Sequence, residues 1–309
     1  MHRGLDTTPE TNNLRFYEPS QSKPRRNDFI VLADIRRVEK AVLAEIVHLD
    51  KDDGLSIIKW VEKIRAADSL LGFKSVICPV PPGSDLCPDV FTLMVQTPWQ
   101  LEQYRLYASN ILFMDGTHNT TMYENLTLFT LLVRNHWGHG TPQLLQTLNF
   151  IYIMRIGIPI AWMLASNGTA ETLGYFISLV RGRSPLIIPR WLMSDRDLAQ
   201  LKALRWYFPT SILLLCWWHV LHAWQQHLVT SKHPVLWTKL KAWVRIECPK
   251  EFELAWLEIQ VLAPKSFLEY LVEYWMTAEF RPMWSAVNRK GRPIFEQSDT
   301  NMLLEAYVL

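Results

Sequence analysis

The sequence has few cysteines, almost no net charge and no hydrophobic segment near its start. Four cysteines in 309 residues are too few for a secreted disulfide scaffold and favour a reducing compartment. Because 32 Lys and Arg nearly balance 30 Asp and Glu, nucleic-acid binding would need local basic patches. The polar residues 1–28 lack the apolar core of a secretory signal. We therefore expect an intracellular protein that is not secreted.

Long apolar segments and repeats are also scarce. Residues 144–165 are long enough to cross a bilayer, but Arg155 and Pro159 lie near their centre. We expect no membrane partner. The absence of an internal repeat of 20 to 50 residues excludes solenoids and propellers.

The first third of the chain divides into a tail, a helical region and a linker. Residues 1–27 are polar and predict a disordered tail. Residues 28–98 predict a helical N-terminal region, with a turn at Asp52, Asp53 and Gly54, followed by a Pro-rich linker. Four prolines in residues 75–89 exclude a regular element there.

The middle of the chain alternates apolar strands with helical patterns. The predicted strands cover residues 111–116, 126–134, 159–166, 191–194 and 211–216. Helical patterns cover residues 98–109, 169–180, where Thr169 supplies a cap, and 195–207. This order predicts an α/β fold. Residues 232–280 show only helical spacing and predict a helical region whose tryptophans form a core, with base-stacking platforms as the alternative.

Three acids stand where chemistry is expected in such a fold. Asp115 and Asp195 lie at the carboxyl ends of two predicted strands, and open α/β sheets place their ligand sites there. Glu305 follows on a short predicted helix. Convergent carboxylates suit a hard divalent cation such as Mg²⁺, although strand-end aspartates also cap helices.

Four sequence blocks together resemble one family. MDGTHNTTMYENLTLFTLLV, MSDRDLAQLKAL, CWWHVLHAWQQHL and TNMLLEAYVL occur in the order found in Mutator-like element (MULE) transposases. The resemblance extends over about residues 99–309. It is specific because a D-G-T-H strand end, an S-D strand end, a C-x-x-H pair and a T-N-x-x-x-E helix all match.

The resemblance implies an RNase H-like mixed sheet flanked by helices. It divides the chain into a catalytic core at 99–231, a helical insertion at 232–297 and a final core helix at 298–309. It also implies that Asp115, Asp195 and Glu305 hold two Mg²⁺ or Mn²⁺ ions and catalyse DNA strand cleavage and strand transfer. The implied partner is DNA, in the nucleus, with a possible homo-oligomer.

Three further residues have uncertain roles. Cys216 and His219 match the C-x-x-H signature, with His222 three residues later. Thiolate and imidazole groups can bind Zn²⁺, but only these three lie close together in the sequence, so we predict no zinc site. The alternative to zinc binding is that Cys216 is a buried core residue and that His219 orients neighbouring backbone or DNA. His118 either contacts a phosphate or stabilises its turn.

Basic residues in predicted loops are candidates for contact with the DNA backbone, with ordinary solvated loops as the alternative. They form two clusters, Arg181 and Arg183 in the first, and Arg289, Lys290 and Arg292, after Arg281, in the second.

The chain also departs from the family pattern. Residues 141–158 lengthen a connection that should be short, and a retained intron is one hypothesis for them. The chain ends four residues after Glu305. A catalytically silent transposase-derived DNA-binding or regulatory protein, or an inactive fragment, is therefore the alternative function.

Overall fold

The structure is a computed structural model that describes residues 32–118, 125–134 and 157–289. The chain divides between Lys63 and Ile64 into two compact units. The predicted tail, almost all of residues 141–158 and the predicted final helix lie outside the described residues.

The first unit contains the part of the predicted N-terminal region that precedes Ile64. Helix α1 is Leu32–Val47, and helix α2, Asp53–Ala66, begins after the turn. The side chain of Asp52 accepts a 2.9 Å hydrogen bond from the Leu55 amide at the start of α2. The Trp60 indole donates to the Val47 carbonyl at 2.8 Å and joins the two helices. Both helices are present as predicted, but Asp53 and Gly54 of the predicted turn already belong to α2, so the connection ends at Asp52.

The second unit is built on a seven-stranded mixed sheet. Its strands are β1 (Leu70–Lys74), β2 (Thr92–Val95), β3 (Ile111–Thr117), β4 (Thr127–Val133), β5 (Ile158–Ala165), β6 (Trp191–Ser194) and β7 (Ile212–Leu215). Their spatial order is β1-β2-β5-β4-β3-β6-β7. In this spatial order, each of the neighbouring pairs among β1, β2, β5, β4 and β3 is antiparallel. The pairs β3–β6 and β6–β7 are parallel. This confirms the α/β fold and is consistent with an RNase H-like mixed sheet.

Both faces of the central strands are buried. Leu112 and Met114 of β3 face the main hydrophobic core, while Ile111 and Phe113 face a second, smaller cluster. This alternation explains why the strands appear in the sequence as continuous apolar runs.

The helices around the sheet begin at recognisable caps. They are α3 (Pro98–Tyr107), α4 (Ala170–Gly182), α5 (Leu198–Tyr207) and α6 (Trp217–His227). Thr97 and Gln100 form a capping box, and Thr169 and Asp197 each accept a hydrogen bond from an amide in the first turn. These caps satisfy amides that a helix leaves without partners. Thr169 acts as predicted.

The predicted helical region after α6 is also present. It consists of α7 (Pro234–Trp243), α8 (Pro249–Leu262), α9 (Lys265–Tyr270), a π-helical turn (Leu271–Trp275), α10 (Arg281–Trp284) and a 3₁₀ turn (Ala286–Asn288). The ring centroid of Trp224 in α6 lies within 6 Å of the ring centroids of Trp243, Trp275 and Trp284. All four rings are fully buried. The tryptophans Trp243 and Trp275 are thus core residues, as predicted.

Strands β1 and β2 differ from the prediction, which has no strand before residue 99. Both pair into the sheet, and the proline-containing segment 75–89 forms the loop between them. A Cβ atom on Gly72 would lie 2.9 Å from the side chain of Leu179, so glycine allows β1 to approach α4. The linker is therefore a loop within the sheet.

In the described part of the chain, no helix is long and apolar enough to cross a membrane. Within the apolar stretch 144–165, the segment Ile158–Ala165 is strand β5.

Candidate active site

The register of the parallel strands brings Asp115 and Asp195 together. Phe113 of β3 pairs with Met193 of β6. Continued two residues past this last pair, the same register puts Asp115 beside Asp195, and the effect of Asp115 on the pKa of Asp195 agrees with this proximity. Asp115 still pairs with Thr130 and lies inside β3, whereas Asp195 directly follows β6. The sheet thus presents two carboxylates at neighbouring positions.

Cys216 continues this row on the next strand. Ser194 pairs with Leu215 of β7, so Cys216 follows beside Asp195. The Cys216 amide donates to the Ser194 carbonyl at 2.9 Å. Its side chain is fully buried in the second hydrophobic cluster, which fits the structural alternative for this cysteine. None of the four cysteines, all described, is in a disulfide.

Helix α6 places His219 over the two acids. It begins directly after Cys216, and its first turn carries His219. Nε2 of His219 lies 3.6 Å from Oδ1 of Asp115. The C-x-x-H spacing therefore serves here to place a histidine above the strand end. His222 lies on an exposed part of α6, stacked on Trp218 with ring centroids 4.9 Å apart.

The environment opposes negative charge on Asp195. Burial raises the pKa of the Asp195 carboxyl, and the neighbouring Asp115 raises it further, whereas His219 lowers it. Desolvation and like charge both favour the neutral acid, and a cation reverses this preference. Two carboxylates in such a setting have the chemistry of hard-cation ligands.

The turn that carries Asp195 is held by its own hydrogen bonds. Asp197 accepts a 2.8 Å bond from the Gln200 amide and caps α5. The buried Ser194 hydroxyl lies 2.7 Å from Oε1 of Gln200 and 3.3 Å from Oδ1 of Asp195. Sequence reasoning included Ser194 only as part of the S-D strand end and did not single out Gln200. The capping pattern D-x-x-Q from Asp197 to Gln200 is the signal that identifies Gln200.

Among the described residues, no group of three or more His, Cys, Asp or Glu side chains is arranged to hold a metal ion. Asp115 and Asp195 are the two predicted ligands that the structure brings together. Glu305, the third predicted ligand, lies outside the described residues.

His118 lies at the exposed end of β3. Its Nδ1 is 3.1 Å from Oγ1 of Thr127 at the start of β4. This contact joins the ends of β3 and β4, and residues 115–117 are part of β3 and not a turn.

Arg181 and Arg183 bind the protein's own main chain. Arg181 donates to the carbonyl of Tyr207, the last residue of α5, at 2.9 Å. Arg183 donates to the Gln96 carbonyl at 3.1 Å and pairs with Asp68. Asp195 precedes the first turn of α5, and ten helical residues extend about 15 Å. The structure therefore does not bring these arginines to the two acids.

Arg289 differs from its prediction as an exposed DNA contact, because its side chain is buried. It is buried, donates to the carbonyls of Leu215 and Met283, and lies 4.5 Å from the ring centroid of Trp217. A guanidinium used in this way joins the end of β7 to the helical region. Lys290 and Arg292 lie outside the described residues. Arg281 pairs with Glu253.

Comparison with known proteins adds no family assignment. No protein-family model matches the chain, and no curated protein matches it significantly. The resemblance to MULE transposases thus remains a prediction that depends on the four sequence blocks.

Proposed function

We propose that this chain is the catalytic core of a MULE-like DNA transposase, which cleaves and joins DNA strands by two-metal-ion phosphoryl transfer. The observation that carries this proposal is the juxtaposition of Asp115 and Asp195 at neighbouring parallel strands. The four sequence blocks give it a reaction class. DNA as partner and a nuclear location are parts of the same proposal.

The two acids fit the chemistry of divalent cations. Asp115 is 8% exposed and Asp195 is half-buried, so two negative charges share a poorly solvated site. The raised pKa of Asp195 reflects this cost, and a bound cation would remove it. Asp115 and Asp195 would hold Mg²⁺ or Mn²⁺, with Glu305 as the expected third ligand. When bound, such ions supply stabilisation of the attacking and leaving oxygens of a phosphoryl displacement.

His219 has a supporting role in this proposal. Nε2 of its ring lies 3.6 Å from Oδ1 of Asp115, close enough for an electrostatic interaction with that carboxylate. Its Nδ1 is buried and has no hydrogen-bond partner among the described residues. In the protonated form, it would also offset part of the negative charge at the site.

The proposal is tested by Mn²⁺-dependent nicking of supercoiled plasmid. Asp115→Asn, Asp195→Asn and Glu305→Gln each keep side-chain size and remove one expected ligand charge. Asp197→Asn is the matched control, because asparagine also caps helices and Asp197 is not an expected ligand. We expect nicking by the wild type and the control, with a loss of about 100-fold or more in the other three.

Nicking that survives in all three variants would refute the assignment. No nicking by the wild-type chain would favour a catalytically silent DNA-binding protein or an inactive fragment.

A further inference from the structure

Arg196 lies between Asp195 and Asp197 and has no role in the proposed reaction as described above. The guanidinium of Arg196 lies 4.3 Å from the ring centroid of Phe280, 5.1 Å from that of Trp275 and 5.4 Å from that of Tyr274. Its Nε is buried and has no hydrogen-bond partner among the described residues. Attraction between the cation and the three ring faces therefore accounts for its position.

The three rings come from an irregular part of the helical region. Tyr274 and Trp275 belong to the π-helical turn Leu271–Trp275, where the Met276 amide donates to the Leu271 carbonyl at 2.9 Å. A π-helical turn inserts an extra residue into a helix, and such turns are frequent at functional sites. Here it places two successive aromatic residues against one guanidinium. We call Tyr274, Trp275 and Phe280 the aromatic cage.

Arg196 is covalently next to the candidate metal ligand Asp195. A side chain held on three sides restricts the backbone that carries it, and Asp195 occupies the adjoining position. The Asp195 carboxyl receives one described side-chain hydrogen bond, from Ser194 at 3.3 Å, which is long for a hydroxyl donor. The backbone of Asp197 also hydrogen-bonds this carboxyl, so the backbone of the turn does much of the positioning.

We propose that Arg196 is a positioning residue, whose capture by the aromatic cage fixes the turn that presents Asp195. This inference rests on the proposed function for its catalytic consequence. It also gives the helical region a task in the reaction: the region holds one acid in place from outside the sheet.

A second arginine offers a matched control. Arg205, at the other end of α5, pairs with Glu279 at 2.7 Å and thus also joins α5 to the helical region. It is far along the helix from Asp195. Replacing it removes an arginine link between the same two elements without touching the turn.

The test compares Arg196→Gln, Arg196→Lys, Tyr274→Leu and Arg205→Gln by kcat and KM for plasmid nicking. Tyr274 is 41% exposed, so its replacement weakens the cage while leaving the core intact. We expect kcat to fall about tenfold or more in Arg196→Gln with KM for DNA unchanged, because misplaced catalytic groups lose rate rather than ground-state binding. Tyr274→Leu should show a smaller loss. Arg196→Lys keeps a cation for the rings and should recover part of the rate.

Hydrogen exchange of the peptide 192–201 gives a readout that needs no activity. We expect faster exchange in Arg196→Gln than in the wild type, and no change in Arg205→Gln. This result with an inactive wild-type chain would leave the positioning role intact and reject the proposed function. Equal exchange in Arg196→Gln and the wild type would overturn the inference. So would a raised KM with unchanged kcat, since that pattern indicates contact with DNA.

Discussion

Nε2 of His219 lies 3.6 Å from Oδ1 of Asp115, and the same histidine lowers the pKa of Asp195. One imidazole therefore acts electrostatically on both acids of the candidate site. The contact joins the first turn of α6 to the interior of β3.

Replacing His219 by glutamine should move the pH profile of nicking. The histidine lowers the pKa of Asp195, so its removal raises that pKa and Asp195 then ionises at higher pH. If ionised Asp195 is needed to hold metal, the acid limb of the profile shifts to higher pH. His222→Gln, on the exposed part of α6, is the control. An unchanged acid limb, or a shift to lower pH, would contradict this role.

The charge on Asp195 should cost stability in the metal-free protein. Its pKa is raised in the folded chain, so the folded state favours the protonated acid and loses stability as pH rises through the folded pKa. Asp195→Asn, which carries no charge, should have a higher Tm than the wild type at pH 7.5. The difference should shrink as the pH falls and vanish where the carboxyl is protonated in both the folded and the unfolded state.

Thermal unfolding at several pH values without divalent cations measures this effect. Glu102→Gln, on the exposed side of α3, is the control and should change Tm equally little throughout. A lower Tm for Asp195→Asn at pH 7.5 would show that the charged carboxylate stabilises the fold.

Arg289 should contribute to stability and not to DNA binding. Arg289→Gln removes donors from two buried carbonyls and a cation from the face of Trp217. We expect a loss of about 2 kcal/mol in the free energy of unfolding, measured with urea. The salt dependence of plasmid binding should stay the same, whereas loss of a phosphate contact would reduce its logarithmic slope by about one. A reduced slope with unchanged stability would contradict the structure.

The strands near the site could be predicted from the sequence, because each of them is buried on both faces. Residues 111–114 and 213–216 alternate between the two hydrophobic clusters, so apolar side chains or cysteine occupy every position. Such runs, each followed by an acid or a cysteine, locate both strands and candidate ligands. The position of Asp195 beside Asp115 then follows once β3 and β6 are parallel neighbours.

Other features depend on tertiary contacts that leave no periodic signal. Strands β1 and β2 have five and four residues, and pairing with their neighbours gives them their structure. In the sequence, Arg183 and Arg289 each come after a helical segment, a position typical of exposed loop residues. In the structure, both donate hydrogen bonds to carbonyls that are distant in the chain. The aromatic cage of Arg196 needs the π-helical turn, and sequence spacing does not indicate one.

Lys74 should be essential for the loop between β1 and β2. It is fully buried, and its ammonium group donates to the carbonyls of Ser75, Pro88 and Val90. Lys74→Met fills similar space but leaves these carbonyls without their donor, at a cost of about 3 kcal/mol in the free energy of unfolding.

Limited proteolysis measures this effect within the loop. We expect faster cleavage between residues 75 and 89 in Lys74→Met, and wild-type cleavage in the exposed control Lys250→Met. Equal resistance in all three proteins would show that the loop is held by other contacts.

Binding of Mn²⁺ to the purified chain, followed by the electron paramagnetic resonance signal of the free ion, tests most directly whether Asp115 and Asp195 form a metal site. We expect saturable binding by the wild type and by Asp197→Asn. We expect a loss of affinity of about tenfold or more in Asp115→Asn and in Asp195→Asn. Equal affinity in all four proteins, or no binding by the wild type, would contradict a metal site at these two acids.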